Sequence, residues 1–135
     1  MQAFHSNWTR PFFIRNPHME YRIEPFELLT TALSALEWRR ENGSIRMICD
    51  TPAKRYYESL GLCCLWDDGV YPLLDTMPED INATAFWAAG KLYALSAVPS
   101  PCVMLDTDFI CWKPISNLLD GPDTAAIHRE DIMPS

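Results

Sequence analysis

Cys102-Val103-Met104-Leu105-Asp106-Thr107-Asp108-Phe109-Ile110 is the stretch whose reading decides the fold. An apolar run stops at two carboxylates that flank one small residue. Apolar runs of this length, bounded by turn residues, read as strands of a sheet covered on both faces. In open α/β sheets, ligands collect just outside the carboxyl ends of the strands, where this run delivers Asp106 and Asp108. Two carboxylates at a strand tip repel each other unless something positive sits between them. A hard divalent cation carrying phosphate oxygens meets that need.

Working outward, the chain alternates strand-like and helix-like segments. Gln2–Trp8 reads as a short first strand and a loop, and the prolines of Thr9-Arg10-Pro11 and Arg15-Asn16-Pro17 break any helix there. His5 and Trp8 would sit at the tip of that strand, either in a site or as packing. From Glu24 to Glu41 the period becomes helical, with Phe26, Leu29, Leu33, Leu36 and Trp38 recurring at spacings near three and four. Pro25 suits the first turn and Asn42-Gly43 supplies the stop. Ile45–Asp50 reads as a second strand ending in an acid, and Thr51-Pro52 opens a helix that runs to about Leu60 and ends at Gly61.

Leu62–Trp66 reads as a third strand or edge piece, closed by Asp67-Asp68-Gly69. Val70 to Asn82 is a polar, proline-containing connection. Ala83 to about Val98 reads as a helix with Phe86, Leu92 and Leu95, stopped by Pro99-Ser100-Pro101. The central strand and its two aspartates follow, and a final strand is expected at Thr124–His128. Strands alternating with long helices predict βαβ units and a three-layer α/β/α domain on a mostly parallel sheet. No GxGxxG or GxxxxGK[ST] is present, which argues against a dinucleotide fold with the standard phosphate loop.

At 135 residues the chain, 1–135, is one domain. A hydrophobic content of 48% and a charged content of 21% are ordinary for a globular protein. The net charge of -7 argues against a nucleic-acid partner, because no basic patch offsets it. Cys49, Cys63, Cys64, Cys102 and Cys111 are odd in number and show no metal-ligand spacing, so free thiols in a reducing compartment are expected. The N-terminus lacks a basic-then-apolar signal pattern, and no apolar run approaches a transmembrane span, so the expected location is cytoplasmic.

Four pieces then carry a resemblance: Ser6-Asn7-Trp8-Thr9-Arg10-Pro11; Met47-Ile48-Cys49-Asp50-Thr51; Phe86-Trp87-Ala88-Ala89-Gly90-Lys91; and Val103 to Pro114, with its Asp106-Thr107-Asp108 and Trp112-Lys113-Pro114. Ala126-Ile127-His128-Arg129-Glu130 is a weaker fifth. Together they resemble the donor-binding half of a GT-A glycosyltransferase, of the DXD-containing bacterial sugar transferases that build capsule or lipopolysaccharide. The resemblance implies a Rossmann-like nucleotide-diphospho-sugar transferase fold, truncated, with the acceptor-side half missing. It implies a hexosyltransferase-type enzyme that moves a sugar from a nucleotide-sugar donor to a glycan acceptor.

By the same resemblance, Asp106 and Asp108 hold a divalent metal, manganese or magnesium, on the donor diphosphate, where it acts as a Lewis acid. His5, Trp8, Asp50 and Lys91 complete the expected nucleotide-sugar site, with Asp50 next to Asp106 in the family's sheet order. Asp50 would contact base or ribose, or cap the helix after it. Lys91 lies one turn after Trp87 and would offset the carboxylates, touch a phosphate, or stand on the surface. His128 and Glu130 could face the donor sugar. A phosphatase using one aspartate as nucleophile fits poorly, since little chain follows Asp108. The alternative is a non-catalytic nucleotide-sugar-binding remnant, or a half-domain that works with a partner. An exposed apolar sheet edge would mark it, completed in a homodimer or by another chain.

Overall fold

The sheet is hung on β1 (Gln2–Asn7), which pairs in parallel on both sides. On one side runs β2 (Ile45–Cys49), with Ala3 opposite Ile45 and Asn7 opposite Cys49. On the other runs β4 (Cys102–Leu105), with Gln2 opposite Cys102 and His5 opposite Leu105. The short β3 (Val70–Tyr71) adds to β2 and completes a four-stranded, all-parallel sheet of order β3-β2-β1-β4. The computed structural model describes residues 2–119, 121 and 124–126.

Helices cover both faces, as an all-parallel sheet requires. α2 (Pro25–Glu41) and α3 (Thr51–Ser59) bury Ala35, Trp38, Ala53 and Tyr57 against Ala3, Ile45, Met47, Cys49 and Leu105. α4 (Ala89–Ala97) covers the opposite face, where Ala94 packs with Phe4, Ile48, Leu74 and Met77. Each large side chain buried this way contributes roughly 1.5–3 kcal/mol. The fold class is α/β.

The helix and strand boundaries around β2 follow from local chemistry. α2 begins at Pro25, and Gly43 with φ +107° takes the left-handed turn that stops it. Asp50 caps α3, accepting from the Ala53 amide at 3.2 Å, with Pro52 in the first turn.

Several expectations are corrected. β4 is the edge strand among the described residues, not the central one, and Met104 is partly exposed on it. β1 stands between β2 and β4, so Asp50 and Asp106 do not end neighbouring strands. Cys63–Leu65 is a 3-10 turn, because Leu65 and Trp66 bury their side chains as the chain doubles back and the edge pairing falls to Val70–Tyr71. Arg10–Arg15 forms a short helix, α1, since Pro11 in a first turn needs no amide partner. Residues 83–88 are turns, not helix: Asn82 Oδ1 accepts the amides of Thr84 and Ala85, and α4 starts only at Ala89.

α2 itself is where expected, but the row chosen as its apolar face is mostly its outer one. Phe26 is 77% and Leu29 70% exposed, and Leu36 is exposed too, while Thr31, Ser34, Ala35 and Trp38 face the sheet. The outer side carries the larger aliphatic residues, and the sheet takes a side of small, partly polar residues together with Trp38. A short α5 (Ser116–Leu119) follows. Residues 124–126 carry no strand, and the rest of the expected final strand, with His128 and Glu130, lies outside the described residues.

Candidate functional site

From β1 the chain moves to β2 and β3 on one side, and β4 then adds on the other side. Such a reversal opens a crevice at the carboxyl ends of the two strands that part, here β1 and β4. A cleft of about 370 Å³ lies there. Ser6, Asn7 and Tyr57 line it together with Tyr21. Glu27, Thr30 and Thr31 of α2 form one wall; Trp87, Lys91 and the turn Asp106-Thr107-Asp108 form the other. A larger hollow of about 610 Å³ lies at the amino ends of the strands, beside Gln2, Ser44 and Pro101. Its one charged side chain, Asp68, is already paired with Arg46 at 2.8 Å, so it offers little chemistry.

The two aspartates sit where β4 ends. The Phe109 amide donates to Asp106 O at 3.0 Å, closing a tight turn that presents both carboxylates to solvent. Lys91 Nζ donates to Asp106 Oδ1 at 2.6 Å and stands 5.4 Å from the centre of the Trp87 ring. A lysine in the first turn of a helix opposes the helix dipole. The carboxylate offsets that cost, and because the pair is well exposed its net stabilisation is about 1 kcal/mol at most. Its larger effect is to keep an ammonium group at the carboxylate cluster.

Magnesium and manganese take hard oxygen ligands, and magnesium sites use one or two carboxylates with the substrate's phosphates. Asp106 and Asp108, on one turn at the cleft, fit that ligand count. Among the described residues, no group of three or more histidine, cysteine or acidic side chains comes together, so the chain offers two carboxylates rather than a closed cage.

The other expected site residues are placed elsewhere. Asp50 is buried, and its Oδ2 accepts the Thr9 amide at 2.8 Å and the Thr9 hydroxyl at 2.7 Å, besides the cap to Ala53. It ties the end of β1 to the start of α3 and does not line the cleft. His5 is fully buried, accepting from Trp66 Nε1 at 3.1 Å through Nδ1, with Nε2 3.0 Å from Ser34 Oγ. Burial lowers its pKa from 6.5 to about 4, against a smaller opposing pull from Asp106. Trp8 is half-buried under the start of α4, where a Cβ on Gly90 would meet Trp8 Cβ at 2.6 Å. Lys91, Asp106 and Asp108 are therefore the three expected site residues that the fold brings to the cleft.

Other cleft residues were not singled out from sequence. Asn7 Nδ2 donates to the Tyr21 hydroxyl at 2.9 Å and to the Tyr57 hydroxyl at 2.6 Å. Burial raises both tyrosine pKa values, so both hydroxyls stay protonated donors. Ser6 Oγ is buried with no hydrogen-bond partner among the described residues, a group that a polar ligand could satisfy. Asn7 stands inside the Ser6–Pro11 piece and could have been found there. Tyr21 lies in a loop without periodicity and gave no signal. Behind Asp50, burial pushes the Cys49 thiol up to about 12, which leaves it inert.

No protein-family model, curated protein or solved structure matches this chain.

Proposed function

We propose that the cleft takes the nucleoside diphosphate of a sugar donor and that the chain serves metal-dependent glycosyl transfer to a glycan or similar acceptor, on a GT-A-like fold. The observation that carries this reading is the placement of Asp106 and Asp108 at the β1/β4 switch point, beside Lys91. Asp106 and Asp108 would hold a manganese or magnesium ion, which supplies a Lewis acid against the charge on the departing diphosphate. Lys91 neutralises Asp106 in the free protein and keeps further N–H donors for a phosphate oxygen. Around Asn7, whose Oδ1 accepts the Tyr21 hydroxyl at 3.0 Å, the Tyr57 hydroxyl offers a neutral donor and the oxygens of Asn7 and Tyr21 offer acceptors, suited to ribose hydroxyls or a base edge. Trp87 is 59% exposed at the rim and offers an aromatic face to a sugar ring. The free thiols Cys49, Cys63, Cys64, Cys102 and Cys111 support a cytoplasmic location. No described helix is long and apolar enough to cross a membrane.

A thermal-shift screen of nucleotide sugars tests the reading. At ligand concentrations of about a hundred times Kd, the native state gains about 2.7 kcal/mol. At least one donor should raise the melting temperature with manganese and not without it; no shift with any donor counts against the reading.

A second reading, a nucleotide-sugar-binding half-domain completed by another copy or a partner chain, is favoured by two exposed features. The outer edge of β4 is unpaired among the described residues, and α2 turns Phe26, Leu29 and Leu36 outward. Donor binding without turnover, together with a dimer in sedimentation velocity, would support it.

A further inference from the structure

The Asp106–Asp108 turn is held from beneath by a chain of buried hydrogen bonds. Trp66 Nε1–H donates to His5 Nδ1 at 3.1 Å, which leaves the proton of a neutral ring on Nε2. His5 Nε2 then donates to Ser34 Oγ at 3.0 Å, and the Ser34 hydroxyl donates to the Phe109 carbonyl. One tautomer and one hydroxyl orientation satisfy every link. His5 and Ser34 are 0% exposed and Trp66 2%, so water does not compete for the two links to His5, and the Ser34–Phe109 link is part-buried.

Phe109 is the residue on which this converges. Its amide closes the turn on Asp106 O at 3.0 Å, and its carbonyl is held by Ser34. Ser34 belongs to α2, which supplies the facing wall through Glu27, Thr30 and Thr31. The same hydroxyl therefore ties the two walls of the cleft together. His5 stands on β1 between them, and Trp66 anchors the ring from the segment leading to β3.

We propose that Ser34 and His5 are positioning residues. They touch no ligand and set where Asp106 and Asp108 stand relative to the α2 wall by fixing Phe109. The functional consequence rests on the donor-site reading above, but the positioning itself is measurable without a ligand.

The experiment is residue-resolved amide exchange by NMR on the full chain, with the Phe109 amide as reporter. In Ser34→Ala this amide should exchange about tenfold faster, the size expected when one buried hydrogen bond is lost, while the amides of β1 and β2 keep their rates. Trp66→Phe, which removes the donor to His5 Nδ1 together with part of a buried ring packed on Tyr57, should accelerate the same amide by a smaller factor. Manganese-dependent affinity for whichever of uridine and guanosine diphosphate the wild type binds should fall about tenfold in Ser34→Ala. An unchanged Phe109 rate in Ser34→Ala, or an acceleration shared equally by β1 and β2, overturns the proposal. If the wild-type chain binds neither manganese–uridine diphosphate nor manganese–guanosine diphosphate, the donor-site reading fails, and the exchange rates alone still decide the role of Ser34.

Discussion

At the level of single residues, Asp50 and Asp106 look alike in sequence, since each is an acid at the end of a strand-like run. Their surroundings separate them. Asp50 has the Thr9 amide and hydroxyl and the Ala53 amide as partners, whereas Asp106 has Lys91 at 2.6 Å and an open cleft. Removing a cap and leaving buried donors unpaired costs roughly 1–3 kcal/mol, so Asp50→Ala should lower stability in urea by that amount. Asp106→Ala should change it by well under 1 kcal/mol, since its ion pair is exposed.

His5 gives a pH dependence of definite sign. Its pKa is about 4 in the fold against 6.5 for the free side chain, so between those values the unfolded chain binds a proton that the folded chain refuses. Above pH 6.5 the residue costs nothing. As pH falls through 6.5 toward 4 it removes up to about 3 kcal/mol, and below that the loss levels off. Protonation would also point an Nδ1 proton at the Trp66 N–H donor. Chemical denaturation of wild type and His5→Gln at neutral and acidic pH checks this, with a larger acid loss expected for wild type.

At the level of elements, β2, α3 and the body of α2 were legible because their ends are written in local chemistry: Pro25, Asn42-Gly43, Asp50 and Pro52 act within a turn of where they stand. The 62–66 run was misread because apolar content marks burial, not extension; Leu65 and Trp66 are buried in a 3-10 turn. The 83–88 segment was misread because its alanines favour helix while Asn82 diverts the amides of Thr84 and Ala85. On α2 the period located the helix but not its inner face, since the buried side includes the polar Thr31, Ser34 and Glu37 while Phe26, Leu29 and Leu36 stay outside. Phe26→Gln and Leu29→Gln should therefore leave unfolding free energy within about 0.5 kcal/mol. Trp38→Ala, on the buried side, should cost about 3–5 kcal/mol.

At the level of the whole molecule, strand order decided what could be known of the site. A parallel α/β sheet was legible from the alternation of segments, but nothing local states which strands are neighbours. The order β3-β2-β1-β4 inserts β1 between Asp50 and Asp106 and brings Ser6 and Asn7 beside the Asp106–Asp108 turn instead. Asp106, Asp108 and Lys91 were thus readable from one strand tip and the helix before it. Asn7 stood in the Ser6–Pro11 piece, but Tyr21, Tyr57 and Ser34 were not readable, because their hydroxyls meet their partners only through contacts distant in sequence.

The central claim is a metal-and-diphosphate site at that switch point, and calorimetric titration of uridine and guanosine diphosphates tests it most directly. The account predicts that the wild-type chain binds at least one of them only with manganese present, and that Asp106→Ala and Asp108→Ala each abolish that binding. Binding in either variant with the wild-type manganese dependence would contradict it.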